Sequence, residues 1–285
     1  MDKDKRGLLP GMITTGCAFA GGFIIMVLEI VGVRYLVMDF GGSFYVWISQ
    51  IGVIMIALSL GYYLGGALAD RFQRAAFLTL LLIPTGIGTA LIPKFSGGIV
   101  NWIIMRHPAD ESIPLIWQKL DPAFGSALIF LSPCLVLGML SPYMVRLAAT
   151  RLSHVGRVSG TCYAASTRGS VTGVFVSGYV LINLMRLSHI FYLSGGLICL
   201  LGVMCLFMDR WLDQGNTEWS NTLRIESLDE GKRGLLPGMI TTGCAFAGGF
   251  IIMVLEIVGV RYLDKDFAGS FYVWISQIGV IMIAL

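Results

Sequence analysis

Long apolar runs separated by short polar turns set the pattern of this chain from Met12 onward. A helix needs about 20 apolar residues to cross the ~30 Å hydrocarbon core of a bilayer. By that measure spans are predicted over 11–36, 44–68, 75–93, 124–147, 158–184 and 187–208. A seventh follows at 237–262, and a last apolar segment starts near 271 and stops at Leu285, in mid-span. The third run is the shortest, and Pro84 is expected to kink it. Residues 94–123 read as the long polar loop. Within it, 99–105 (IVNWIIM) is apolar but too short to cross, so it is laid at the interface, where Trp102 suits an aromatic belt. The pattern predicts an all-α, polytopic transmembrane helical bundle of about eight segments.

The first hairpin occurs twice. Residues 232–285 repeat residues 5–58 with three differences: Val37, Met38 and Gly41 are replaced by Asp264, Lys265 and Ala268. Three parts are therefore expected: a six-span membrane unit over 1–210, a cytoplasmic linker over 211–233, and over 234–285 a truncated copy of residues 7–58. Six intervening spans make the second hairpin enter the membrane in the same direction as the first. That is the plan of transporters built from parallel repeats. Natural halves diverge, however, and the near-identity of the copies favours a recent tandem duplication, an engineered or misassembled sequence, or a chain cut short. Identical sequence brings identical packing needs, and within one chain the first copy already occupies the surface that meets them. The second hairpin is thus expected to match the first locally but to find other neighbours, on an adjoining molecule or in a further six-span unit.

Composition sharpens the class. Hydrophobic residues make up 56% of the chain and charged residues 13%, against about 25% charged in soluble domains, with a mean hydropathy of +0.79. The net charge of +3 forms no basic patch with interleaved aromatics, so no nucleic-acid partner is expected; the lipid bilayer is. With the N-terminus inside, twelve Lys and Arg fall on the cytoplasmic side, seven fall outside, and Arg168 lies in a span. This asymmetry places the N-terminus in the cytoplasm of a bacterial-type inner (plasma) membrane. No small-residue cleavage site follows the charged start, so the first span is read as retained. The six cysteines lie in apolar runs without a CxxC pair and are expected as free thiols. His107, His154 and His189 sit in loops or at span ends, so neither a metal nor a haem-type cofactor is expected.

Few ionisable residues lie within the spans, and each is by default a functional candidate. Glu29 lies ~10 Å below the outer end of the first span, at 1.5 Å per residue. Gln50 and Ser49 enter the second span at about that depth, which predicts a Glu29–Gln50 contact inside the hairpin. Arg34 is ~140° round the helix from Glu29 and belongs to the outer interface, where its side chain snorkels. Two readings of Glu29 stand together: fixing helix packing, or binding a cation or proton. Arg168 sits near mid-membrane in a stretch rich in Gly, Ala, Ser and Thr, residues that let helices approach closely. It has two readings as well, a substrate or anion contact and a side chain reaching the cytoplasmic surface from a tightly packed helix. Glu256 and Arg261 are the counterparts of Glu29 and Arg34 in the second copy.

The segments LEIVGVRYL, FGGSFYVWISQIGV and LSLGYYLGGALADR, with SPCLVLGMLSPYMVRLA (132–148) and VGRVSGTCYAASTRGSVTG (155–173), resemble the membrane domain of the fused major-facilitator-like/spermidine synthase proteins. The resemblance covers most of residues 15–185. GGALADRFQR is similar to the loop between the second and third spans of major-facilitator proteins. That likeness implies a cytoplasmic charge lock made by Asp70, Arg71 and Arg74. Two departures stand out: no Pro follows Arg34, where the chain reads RYLVMDFGG, and Arg168 replaces an apolar residue. No soluble aminopropyltransferase domain follows either, so no enzymatic activity and no catalytic residue is expected.

These readings converge on transport or binding of a small cationic solute, with a polyamine link implied by the resemblance. Glu29, Gln50 and Arg168 are the candidate contacts. The alternatives are a non-catalytic structural subunit of a larger membrane complex, or the membrane anchor of a spermidine synthase-like enzyme. Homo-oligomer or complex partners are expected through the repeated hairpin.

Overall fold

A computed structural model describes residues 3–41, 44–72, 74–107, 114–148, 155–212, 235–266 and 271–284, and they are helical almost throughout. The helices are α1 (Lys3–Phe40), α2 (Phe44–Arg71), α3 (Ala75–Ile104), α4 (Leu115–Ala148), α5 (Val155–Phe175), α6 (Leu187–Leu212), α7 (Leu235–Asp266) and α8 (Phe271–Ala284). After α5 the chain continues as a π-helical stretch, Val176–Leu181, and one α-turn, Ile182–Leu184. Six helices are long and apolar enough to cross a membrane: α1, α2, α3, α4, α6 and, in the repeat, Thr242–Gly259 of α7. The protein is an integral membrane protein by this measure.

Two sequence expectations change. The third helix does not stop at 93; it runs unbroken to Ile104 through both Pro84 and Pro93. The 99–105 segment is therefore not a separate interfacial piece, because all of it but Met105 forms the end of α3. Little of the supposed 94–123 loop remains, since α4 begins at Leu115. The helix expected over 158–184 does form, but α5 is not among the six apolar enough to span. Its Gly, Ser, Thr and Arg content serves packing on one face and leaves Thr161, Arg168 and Thr172 exposed on another.

The chain divides into two compact units, Met1–Trp211 and Leu212–Leu285. The linker expected over 211–233 falls, from 213 on, outside the described residues.

Small residues hold the first unit together. A Cβ at Gly169 of α5 would run into the Phe19 carbonyl oxygen of α1, and one at Gly22 into that of Ser166. At Gly173 the clearance to the Phe23 carbonyl oxygen would be 2.5 Å. Gly169-x-x-x-Gly173 thus forms a flat stripe on which the α1 backbone rests. Gly61 and Gly65 do the same for α2: a Cβ at Gly65 would stand 2.6 Å from Met139 Cα of α4. Side-chain bonds add to this, with Thr79 Oγ1 of α3 donating to the Gly202 carbonyl of α6 at 2.8 Å.

Gly41 ends α1 with φ at 82°, a left-handed conformation that glycine adopts without cost. Its counterpart Ala268 lies outside the described residues.

The second unit, by itself, is a hairpin of α7 and α8 in the register of the first. A Cβ at Gly259 would meet Gln277 Nε2 at 2.6 Å, as one at Gly32 would meet Gln50 Nε2 at 2.5 Å. The other face of the repeat differs. Of the most apolar 18-residue stretch, 78% is buried in α1 and 6% in α7. Gly248 and Gly249, the counterparts of Gly21 and Gly22, face open space.

Candidate functional site

Glu29 lies on the face of α1 turned into the first unit and is 2% exposed. Gln50 of α2 and Ser126 of α4 are likewise polar residues buried in the apolar core. Ser126, Phe130 and Cys134 follow one another at intervals of four residues along α4, so they share a face. Ser126 Oγ donates to Gln50 Oε1 of α2 at 2.5 Å, with both residues wholly buried. Gln50 Nε2 rests against Gly32, one turn above Glu29, and finds no hydrogen-bond acceptor among the described residues.

Gln50 thus reaches Gly32, one turn from Glu29, while the hydrogen bond that Gln50 makes goes to Ser126. Ser126 was not legible in advance, since a lone Ser in an apolar run gives no signal. Ser49 turns elsewhere, towards the Lys119 carbonyl at 3.5 Å. Arg34 is exposed, and so is Arg168, on the face of α5 away from its glycine stripe. Arg168 is therefore not brought to Glu29. In the second unit Glu256 is buried and Arg261 exposed, as are Glu29 and Arg34 in the first.

A cavity of about 320 Å³ lies between α3 and α4. Thr85, Thr89, Ser96 and Ser132 give it oxygen atoms, and Ile92, Ile99, Leu128 and Ile129 give it apolar walls. Glu29 does not line it. Ser96 shares a 2.6 Å hydrogen bond with the Tyr35 hydroxyl of α1. Tyr35 meets Phe191 of α6 edge-on at 5.6 Å, and Phe191 lies 6.1 Å from Phe130. Phe130 in turn packs on Gly32.

Two ion-pair clusters mark opposite ends of the unit. Where α3 ends and α4 begins, Asp121 takes Arg106 Nη2 at 2.6 Å and His107 Nε2 at 2.7 Å. The Arg106 guanidinium also lies 4.4 Å from the centre of the Trp117 ring. At the other end Asp70 of α2 pairs with Arg146 of α4 at 2.7 Å. The charge lock implied for Asp70, Arg71 and Arg74 is accordingly made with Arg146. Arg71 lies over the Phe72 ring, and Arg74 contributes its carbonyl, which with that of Phe72 accepts from the Tyr143 hydroxyl.

All six cysteines carry free thiols. Among the described residues no three of His, Cys, Asp and Glu gather to hold a metal ion. Compared with family models, curated proteins and solved structures, the chain matches none.

Proposed function

We propose that this membrane protein binds a small cationic solute and passes it across the bilayer, with Glu29 as the attracting charge. One observation carries the reading: a carboxylate 2% exposed, held inside a helical bundle beside a buried glutamine that has donor capacity to spare. A charge at that depth is costly, and proteins keep it chiefly where it meets a partner, an ion or a proton. The sequence resemblance described above supports a polyamine-like solute, and the distribution of Lys and Arg supports a cytoplasmic N-terminus in a bacterial-type inner membrane. No enzymatic step is proposed. Glu29→Gln keeps size and hydrogen bonding while removing the charge. In liposomes containing the full chain, this variant should take up a radiolabelled diamine at least about tenfold more slowly while keeping its helical circular dichroism. Unchanged uptake would refute the role of Glu29.

The contrast between the two hairpins favours a second reading, assembly of a homo-oligomer. The face of α7 that lies open is, residue for residue, the face that α4 and α5 cover on α1. We infer that the open glycine face of α7 on one molecule is covered by the same face of α7 on a second copy of this chain. On this account the wild type runs as a dimer or larger oligomer in light scattering on detergent-solubilised protein. Gly248→Leu with Gly249→Leu should return it to a monomer, and a monomeric wild type would end the proposal.

A further inference from the structure

The cavity between α3 and α4 offers hydrogen-bond acceptors and few donors. Thr85 Oγ1 gives its proton to the Leu81 carbonyl at 2.7 Å, and Thr89 Oγ1 gives its own to the Thr85 carbonyl at 2.8 Å. Each hydroxyl is left with lone pairs alone to offer a guest. Proline adds to the effect. Pro93 has no N–H to give the Thr89 carbonyl, and Pro133 has none for that of Ile129. Thr89 and Ile129 both line the cavity. A guest here must therefore donate hydrogen bonds, and the apolar walls must take up the remainder of it.

We infer that this cavity binds a primary ammonium carried on a short alkyl chain. An ammonium brings three donors and no acceptor, which complements the Thr85 and Thr89 oxygens, whose own protons are spent. Its methylenes match Ile92, Leu128 and Ile129. The volume of about 320 Å³ suits a small solute and is at the lower end of ligand pockets. The site rests on the cationic-solute reading and extends it. Pro133 of the cavity and Ser126, the partner of the buried Gln50, lie on the same helix, α4.

Calorimetric titration of the full chain in lipid nanodiscs with hexylamine and with 1-hexanol tests the assignment. Hexylamine should bind saturably and at least about tenfold more tightly than 1-hexanol, because hydrogen bonds to a charged donor are the stronger ones. Thr89→Val, which keeps shape and removes an oxygen, should weaken hexylamine about tenfold and leave 1-hexanol less affected. Ser132→Ala, at an exposed position, provides the same test should Thr89→Val fail to fold. Equal binding of amine and alcohol would reveal only an apolar groove and overturn the inference, as would hexylamine binding that ignores both variants. The two proposals fail separately. If Glu29→Gln leaves diamine uptake intact while Thr89→Val weakens hexylamine, the role of Glu29 falls and the cavity site stands. If Glu29→Gln abolishes hexylamine binding while the cavity variants do not affect it, the cavity site falls.

Discussion

Replacing Asp121 by alanine should lower the stability of the first unit by about 2–3 kcal/mol, the largest loss expected from any single polar substitution here. The carboxylate is 8% exposed and holds two cationic or potentially cationic groups at 2.6 and 2.7 Å. Removing one member of a buried pair costs about 3–5 kcal/mol because the other is left without its acceptor. Arg106 is 38% exposed, so water recovers part of that cost. The thermal midpoint in detergent should fall by roughly 4–12 °C, at about 2–4 °C per kcal/mol. Asp70→Ala is the matched control. The Asp70–Arg146 pair has the same 2.7 Å length, but Asp70 is 70% exposed, and exposed pairs contribute about 0–1 kcal/mol. Equal shifts for the two variants would show that burial does not govern these pairs.

Gly169→Ala should destabilise the same unit although alanine is the better helix former. In an open helix the change gains about 0.5–1 kcal/mol. At Gly169 the new methyl group is aimed at the Phe19 carbonyl oxygen, a backbone atom that can yield only if α1 moves with it. Overpacking of this kind costs about 1–3 kcal/mol, and here it adds to the parting of α1 from α5. Gly160→Ala on the same helix meets nothing within 4 Å and should be neutral or mildly stabilising. Opposite signs for the two variants, read as thermal midpoints in one detergent, are the expected result. A neutral Gly169→Ala would mean that α5 does not rest on α1 through its glycines.

The all-α class, the apolar spans and the repeat were legible in the chain because each is written in consecutive residues. A run of twenty apolar side chains, or a second copy of fifty-four letters, needs no partner to be recognised. Glu29 was legible for a related reason, since one carboxylate in such a run contrasts with its neighbours. The sequence also marked the fifth helix as close-packed, because Gly, Ser and Thr at short spacing permit little else in a membrane.

What the tertiary structure decided is which distant residues meet. Ser126 found Gln50 across 76 positions and Arg146 found Asp70 across the same separation. Asp121 was hidden in a stretch that read as loop, and became the anchor of a cluster only because α3 and α4 extend far enough to carry Arg106 and His107 to it. Those extensions run through prolines, whose helix-breaking cost tertiary packing offsets. The repeat gives the sharpest case. The most apolar 18-residue stretch is 78% buried in the first copy's helix and 6% in the second's, so the repeated sequence specifies the hairpin and its internal register but not its burial. Whether its outer face is covered depends on the helices beside it, since burial belongs to a pair of surfaces and a sequence segment specifies only one of them.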